Sequence, residues 1–89
     1  MSEASNIRDF IQGSIRAEKA RRNWTFADLS AALRAQGIEQ SATNLSTKVG
    51  RGDMSAQLFL AVMKVLGQDS VDLRGLQLGS KPAARRRGA

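Results

Sequence analysis

The sequence has no cysteine and no histidine, and these two absences restrict the chemistry that the chain can perform. Disulfide bonds and thiolate metal sites require cysteine, whereas Ser-His-Asp triads and most zinc sites require histidine. Gly50-Arg51-Gly52 alone does not make a phosphate-binding loop, and no pair of acids marks an evident catalytic pocket. We therefore expect no enzymatic activity, no bound metal and no cofactor.

Aromatic residues and long apolar runs are also scarce. Aromatic residues make up 4% of the chain, so its core must be mainly aliphatic. No run approaches the roughly 18 consecutive apolar residues that a membrane helix needs, and the N-terminus lacks the basic start and apolar segment of a signal peptide. We expect a cytoplasmic protein, located at the nucleoid, with no membrane partner.

Length and charge indicate the size of the domain and the sign of its partner. A chain of 89 residues makes one small domain whose single core gives modest stability, so we expect a homodimer or another homo-oligomer. The formal net charge of +6 and the pI of about 11.2 favour an anionic partner such as nucleic acid. An acidic membrane or an acidic protein would also satisfy the charge.

Residues 25–37 have the pattern of an amphipathic helix. Apolar residues repeat on one side of this helix at i, i+3 and i+7: Phe26, Leu29 and Leu33. Thr25 and Asp28 make a Thr-x-x-Asp start, a relative of the capping box in which both side chains bind unpaired backbone N–H groups. Gly37 predicts the end of the helix, because the residue after a helix often needs positive φ.

A second apolar stripe follows and predicts a helix over residues 41–49. Its apolar residues repeat at four, three and four positions: Ile38, Ala42, Leu45 and Val49. The opposite side carries short hydrogen-bonding groups and two cations: Gln40, Thr43, Asn44, Thr47, Lys48 and Arg51. Such groups fit close to base edges, and cations can reach phosphates. Gly50 and Gly52 lie on either side of Arg51, so we expect a mobile corner there.

An earlier helix is predicted to begin at Ile7, with Ser5 or Asn6 as its cap, after an N-terminal arm over residues 1–6. Gly13 inside it costs about 1 kcal/mol relative to alanine unless close packing requires the missing side chain, and we expect close packing. Several cations lie towards its end: Arg16, Lys19, Arg21 and Arg22. One interpretation is that these cations lie in solvent and stabilise the negative C-terminal end of the helix dipole. The other is that they form a phosphate clamp beside the helix over residues 41–49.

The C-terminal third is first aliphatic and then basic. Ser55 predicts the cap of a helix over residues 56–66, which is too apolar for one stripe and is therefore central to the monomer or shared with a second copy. Asp69 or Ser70 is expected to cap a last short helix through Leu76, and the alternative is a short extended arm that carries Leu76 and Leu78. Residues 79–89 have the composition of a disordered basic tail, either solubilising or trailing along phosphates.

The order of these parts resembles the lambda-repressor-like helix-turn-helix proteins, small bacterial and phage regulators. The match covers about residues 7–67 and rests on W-T-F-x-D-L-S, G-I-E, a polar helix ending G-R-G and an aliphatic helix ending L-G. Thr25, Leu29 and Ser30 match the family's Thr-x-x-x-Leu-Ala stretch, and Arg51-Gly52 matches its R-G pair. The resemblance implies an all-α, compact four- to five-helix domain over residues 7–78.

Two details qualify this resemblance. The stretch R-x-x-W-T-F-x-x-L, G-I-E and N-L-x-x-K-V-x-R-G is also similar to a family of short bacterial domains whose biochemical role is not established. Between Leu29 and Leu45 the chain has about one helical turn more than the usual repressor spacing. We therefore expect either the helix that starts near Thr25 or the turn that follows it to be long.

The resemblance implies a small DNA-binding protein, either a transcriptional regulator or a nucleoid-associated factor. The residues that match its DNA-contacting positions are Gln40, Ser41, Thr43, Asn44, Thr47, Lys48 and Arg51. Further positioning charge is expected from basic flanks: Arg21, Arg22, Arg85, Arg86 and Arg87. The alternative is a protein-interaction module on the same fold, which binds or inhibits a larger partner through its aliphatic C-terminal helices. RNA is disfavoured because few aromatic residues are available to stack on bases.

Overall fold

In a computed structural model, the chain folds into α-helices and one short 3₁₀ turn, described for residues 3–76 and 78. The helices are α1 (Glu3–Arg22), α2 (Phe26–Ala35), α3 (Ala42–Arg51) and α4 (Ala56–Val65), and the turn is Leu73–Gly75. No strand occurs in this part of the chain, so the expected all-α class is confirmed. None of the helices in these residues has the length and hydrophobicity of a membrane span. The expected tail over residues 79–89, with Arg85, Arg86 and Arg87, lies outside the described residues.

A capping hydroxyl fixes the start of three helices. Thr25, Ser41 and Ser55 each accept a hydrogen bond from the backbone N–H three residues further on, at the starts of α2, α3 and α4. At α2 the Asp28 carboxylate also accepts from the backbone N–H of Thr25 at 2.8 Å, which completes a capping box. These bonds satisfy donors that a helix start leaves unpaired. The starts predicted at Thr25 and Ser55 are confirmed.

All of these helices end with a residue in the left-handed region: Asn23, Gly37, Gly52 and Gly67. The next backbone N–H then bonds to the carbonyl five residues earlier, as in the 2.9 Å bond from Trp24 to Lys19 and the 3.0 Å bond from Gln68 to Met63. This Schellman arrangement satisfies carbonyls that a helix end leaves free. The helix end predicted from Gly37 and the end predicted near residue 66 are confirmed.

The core lies where the four helices meet, with α1 and α2 each packed against α3 and α4. Its buried residues are aliphatic side chains and one methionine: Ile15, Leu29, Leu33, Leu45, Val49, Leu58, Val62, Met63 and Leu66. Trp24, Phe26 and Phe59 pack around this cluster and are half-buried. The expectation of a mainly aliphatic core is confirmed.

The extra length between the second and third helices lies in their connection. Because α2 ends at Ala35 and α3 begins at Ala42, residues 36–41 form a long turn, whereas α2 itself is short. The Ser30 hydroxyl holds this turn by donating to the Gln40 carbonyl at 2.6 Å. Ile38 packs against the core from the same turn.

The structure differs from the sequence expectation along α1. The helix begins at Glu3 and not at Ile7, so residues 3–6 extend α1 and do not form an arm. Gly13 is exposed, and no atom of a neighbouring element lies within 4 Å of the position that a Cβ would occupy. The expected close packing at Gly13 is therefore wrong.

Two expectations for the C-terminal third also change. Leu73–Gly75 is a 3₁₀ turn capped by Asp72, in place of the short helix expected to start after Asp69 or Ser70. Helix α4 buries one side in the monomer, whereas Leu60 on its other side is 58% exposed. The interpretation of α4 as central to the monomer therefore holds for one of its sides.

Candidate nucleic-acid interface

Helix α3 turns an aliphatic side to the core and a polar side to solvent. Leu45 and Val49 are 0% exposed, whereas Thr43, Asn44 and Thr47 are exposed. An α-helix advances about 100° per residue, so residues at four-residue spacing lie above one another on the same side. The orientation predicted for this helix is confirmed.

We define the α3 face as four exposed residues: Thr43, Asn44, Thr47 and Arg51. Ser46 is exposed at the edge of this face and was not singled out from the sequence, although its position on the helical wheel was a signal that could have identified it. Lys48 lies at the opposite edge and is half-buried. The face is thus polar and positively charged at its C-terminal end.

Ser41 and Gln40 were expected to contact DNA, but each has another role or environment at the start of α3. Ser41 is the N-cap, and its hydroxyl accepts a hydrogen bond from the Asn44 backbone N–H at 3.0 Å. Gln40 is half-buried and lines a groove with Ile38 and Ala61, on the side facing α4. Its Oε1 atom is buried without a hydrogen-bond partner in the described part of the chain. Gln40 therefore lies away from the α3 face.

The C-terminal end of α3 is packed against α1. Gly52 is buried at φ 64°, and a Cβ placed there would lie 2.6 Å from the Arg8 carbonyl oxygen. Next to it, the Gln12 side chain donates from Nε2 to the Gly50 carbonyl at 2.6 Å. These contacts hold Arg51 on a fixed corner, so the loose corner expected from its two glycines is wrong.

Arg21 and Arg22 lie at the other end of α1. Arg22 lies 14 residues beyond Arg8, the residue that contacts Gly52. This separation is about 21 Å along the helix. The Glu18 carboxylate, only 10% exposed, lies 2.8 Å from Arg22 Nη1 and 3.2 Å from Arg21 Nη1. The same carboxylate also accepts a hydrogen bond from Nε2 of Gln68, a residue just beyond the end of α4, at 2.9 Å. We call Glu18, Arg21, Arg22 and Gln68 together the Glu18 brace. It joins α1 to the end of α4, and it does not lie beside the end of α3.

The cations differ in whether a carboxylate neutralises them. Some lie within 4.0 Å of an acid: Arg21, Arg22, Arg34, Lys64 and Arg74. The others in the described residues have no such ion pair there: Arg8, Arg16, Lys19, Lys48 and Arg51. Lys19 instead places its Nζ atom 4.0 Å from the centre of the Phe26 ring. The unpaired cations all belong to α1 and to the second half of α3.

The paired acids near the C-terminal side are held in their charged form. A hydrogen bond from the Lys64 ammonium, followed by its charge, lowers the pKa of Asp69. Hydrogen bonds from the Arg74 side chain and backbone lower the pKa of Asp72, and the same carboxylate raises the pKa of Arg74. Ionised acids of this kind offset the positive charge of their partners on that side of the molecule.

These features describe a small all-α domain with one polar helix face and an adjoining group of unpaired cations. The chain belongs to the family described as Domain of unknown function (DUF6471), which matches residues 8–71. The matched range includes α2, α3 and α4 and most of α1. No curated protein and no solved structure matches the chain.

Proposed function

We propose that this protein is a binding protein for duplex DNA, acting as a transcriptional regulator or a nucleoid-associated factor through the α3 face. The observation that carries the proposal is the exposure of Thr43, Asn44 and Thr47 on a helix whose Leu45 and Val49 are buried. A face needed only for solubility would more often carry pairs of glutamate and lysine.

The size and chemistry of α3 suit the major groove of DNA. An α-helix with side chains is about 10–12 Å across, and the major groove of B-DNA is about 12 Å wide. The Asn44 amide can make a bidentate contact to one adenine, donating to N7 and accepting from N6, and Thr43 and Thr47 can contact thymine methyls or phosphates. Lys48 and Arg51 would contact phosphates, which position the helix without reading sequence.

Rigidity at the corner also supports the proposal. Because Gly52 is packed against α1 and the Gly50 carbonyl accepts from Gln12, the backbone of Arg51 would not have to be ordered when its side chain meets a phosphate. The net charge of +6 supplies long-range attraction to a polyanion. The resemblance to lambda-repressor-like helix-turn-helix proteins, stated above for residues 7–67, agrees with this choice.

The test is fluorescence anisotropy with a duplex selected from a random pool and with an unselected duplex. We expect Asn44→Ala to weaken binding of the selected duplex by about 1 to 3 kcal/mol, or roughly 5- to 150-fold, with little effect on the unselected one. Gln57→Ala is the control, because Gln57 is an exposed amide on α4. Equal losses on both duplexes would show that Asn44 does not read sequence.

A second comparison tests the proposal as a whole. Double-stranded RNA of matched length should bind more weakly than DNA, because its major groove is too narrow and deep for a helix. A full-length chain that binds no duplex at low salt would refute the proposed function.

A protein-interaction module is the second candidate, and exposed leucines favour it. Leu60, Leu73 and Leu78 are each more than half exposed, and a groove lined by Ile38 and Val65 runs between α4 and the turn after α2. Light scattering tests whether a homodimer covers these residues. A monomer that ignores duplex DNA at low salt, and so leaves these leucines uncovered, would favour this candidate over the first.

A further inference from the structure

We infer that one side of α1, next to the α3 face, binds the phosphate backbone of the DNA. This inference rests on the proposed function. We define the α1 stripe as Arg8, Gln12, Arg16 and Lys19. At 100° per residue these four positions lie within about 80° of one another around the helix. Arg16 and Lys19 were among the cations that the sequence offered as a phosphate clamp, whereas Arg8 and Gln12 were not.

Contacts at both ends show where the α1 stripe lies. Near its start, the Arg8 backbone meets Gly52, and Gln12 Nε2 donates to the Gly50 carbonyl at 2.6 Å. Near its end, Lys19 lies over the Phe26 ring, at the first residue of α2. The stripe therefore borders both the end of α3 and the start of α2, so a duplex held by the α3 face would pass next to it.

The charges of the stripe are available to an anion. Arg8 and Arg16 are exposed, and neither lies within 4.0 Å of a carboxylate in the described part of the chain. Asp53, exposed after Gly52, is an acid near this corner, and it too makes no ion pair among those residues. By contrast, the exposed Arg74 guanidinium is 2.9 Å from Asp72.

The geometry fits phosphates in particular. The planar fork of arginine matches a phosphate with two parallel N–H donors. Arg8 and Arg16 are eight residues apart, which is about 12 Å along α1. One strand of B-DNA advances about 3.4 Å per phosphate, so the two guanidinium groups would contact different phosphates. Gln12, between them, acts as a positioning residue by tying the stripe to α3.

The experiment measures log K against log salt for the full chain with an unselected duplex. Each phosphate contact contributes about 0.9 to the slope on B-DNA. We expect Arg8→Gln and Arg16→Gln each to reduce the slope by about 0.9, and the double variant by about 1.8. Arg74→Gln is the matched control, because it removes the same charge from an ion-paired arginine and should leave the slope unchanged.

The outcomes separate this inference from the proposed function. If the wild-type chain binds duplex DNA but the stripe variants keep its slope, the inference is wrong and the proposed function stands. An equal loss in Arg74→Gln would likewise overturn it, because net charge alone would then explain the effect. If the wild-type chain binds no duplex, both fail together. We expect Arg16→Gln to fold like the wild-type chain, because the exposed Arg16 side chain makes no hydrogen bond within the described residues. A change of slope in this variant therefore cannot be attributed to misfolding.

Discussion

The Glu18 brace and the α1 stripe both contain arginines of α1, but those of the brace are paired with a carboxylate and those of the stripe are not. In the brace, Arg22 is 2.8 Å from a carboxylate that is itself tied to Gln68. In the stripe, Arg8 and Arg16 have no carboxylate within 4.0 Å among the described residues. The comparison shows that the number of cations on a helix does not indicate how many can bind a ligand. A single buried acid decides which of them serve the fold.

The largest expected effect comes from breaking the contact between the α1 stripe and α3. In Gly52→Ala the new Cβ meets the Arg8 backbone at a left-handed φ of 64°, so we expect a loss of roughly 2 to 4 kcal/mol in the free energy of unfolding. Gly37→Ala is the control, with φ 81° and open space, and should lose about 1 to 2 kcal/mol. Urea denaturation measures both. Equal losses would mean that the α1–α3 contact is not tight.

A smaller effect is expected from breaking the Glu18 brace. Glu18→Gln removes the charge that holds Arg21, Arg22 and Gln68, and we expect a loss of about 1 to 3 kcal/mol in unfolding free energy. The slope of duplex binding against salt should stay unchanged, because Arg22 lies about 21 Å along α1 from the residue that contacts the end of α3. Asp9→Asn, at an exposed acid with no ion pair in the described residues, is the control. A steeper salt slope in Glu18→Gln would contradict the separation of the two regions.

The smallest effect on stability is expected from a substitution in α1 that changes neither the Glu18 brace nor the α1 stripe. Gly13→Ala adds a methyl group to α1 where nothing lies within 4 Å, at a residue that belongs to neither the stripe nor the brace. We expect a gain of about 0.5 to 1 kcal/mol, because alanine favours the helix more than glycine does. Thermal unfolding measures the gain, and duplex binding should be unaltered. A loss of stability would indicate that Gly13 is packed after all.

Much of the fold could be predicted because its signals are local. The cap at Thr25, the cap at Ser55 and the stop at Gly37 each depend on residues within a few positions along the chain. The orientation of α3 also followed from the spacing of Leu45 and Val49. Such features need only the period of the helix and the chemistry of its ends.

The errors about the candidate site concern contacts between residues that are distant along the chain. The sequence did not indicate that Glu18 pairs with Gln68, 50 positions away, or that Gln12 binds the Gly50 carbonyl, 38 positions away. For this reason Arg21 and Arg22 were grouped with Arg16 and Lys19 in the phosphate clamp considered for the side of α3, and Arg8 was overlooked. The spacing of Arg8 and Arg16 on one side of α1 was a signal, but only the fold shows which element lies beside it.

A titration of the ¹⁵N-labelled full chain with duplex DNA, followed by amide chemical shifts, tests most directly whether the α3 face binds DNA. We expect the largest changes at the amides of Asn44, Thr47 and Arg51, with further changes at Arg8 and Gln12. Residues near Gln68, beyond the end of α4, should change little. Changes confined to the surroundings of Leu60 and Leu73, or no changes at low salt, would contradict the claim that the α3 face binds DNA.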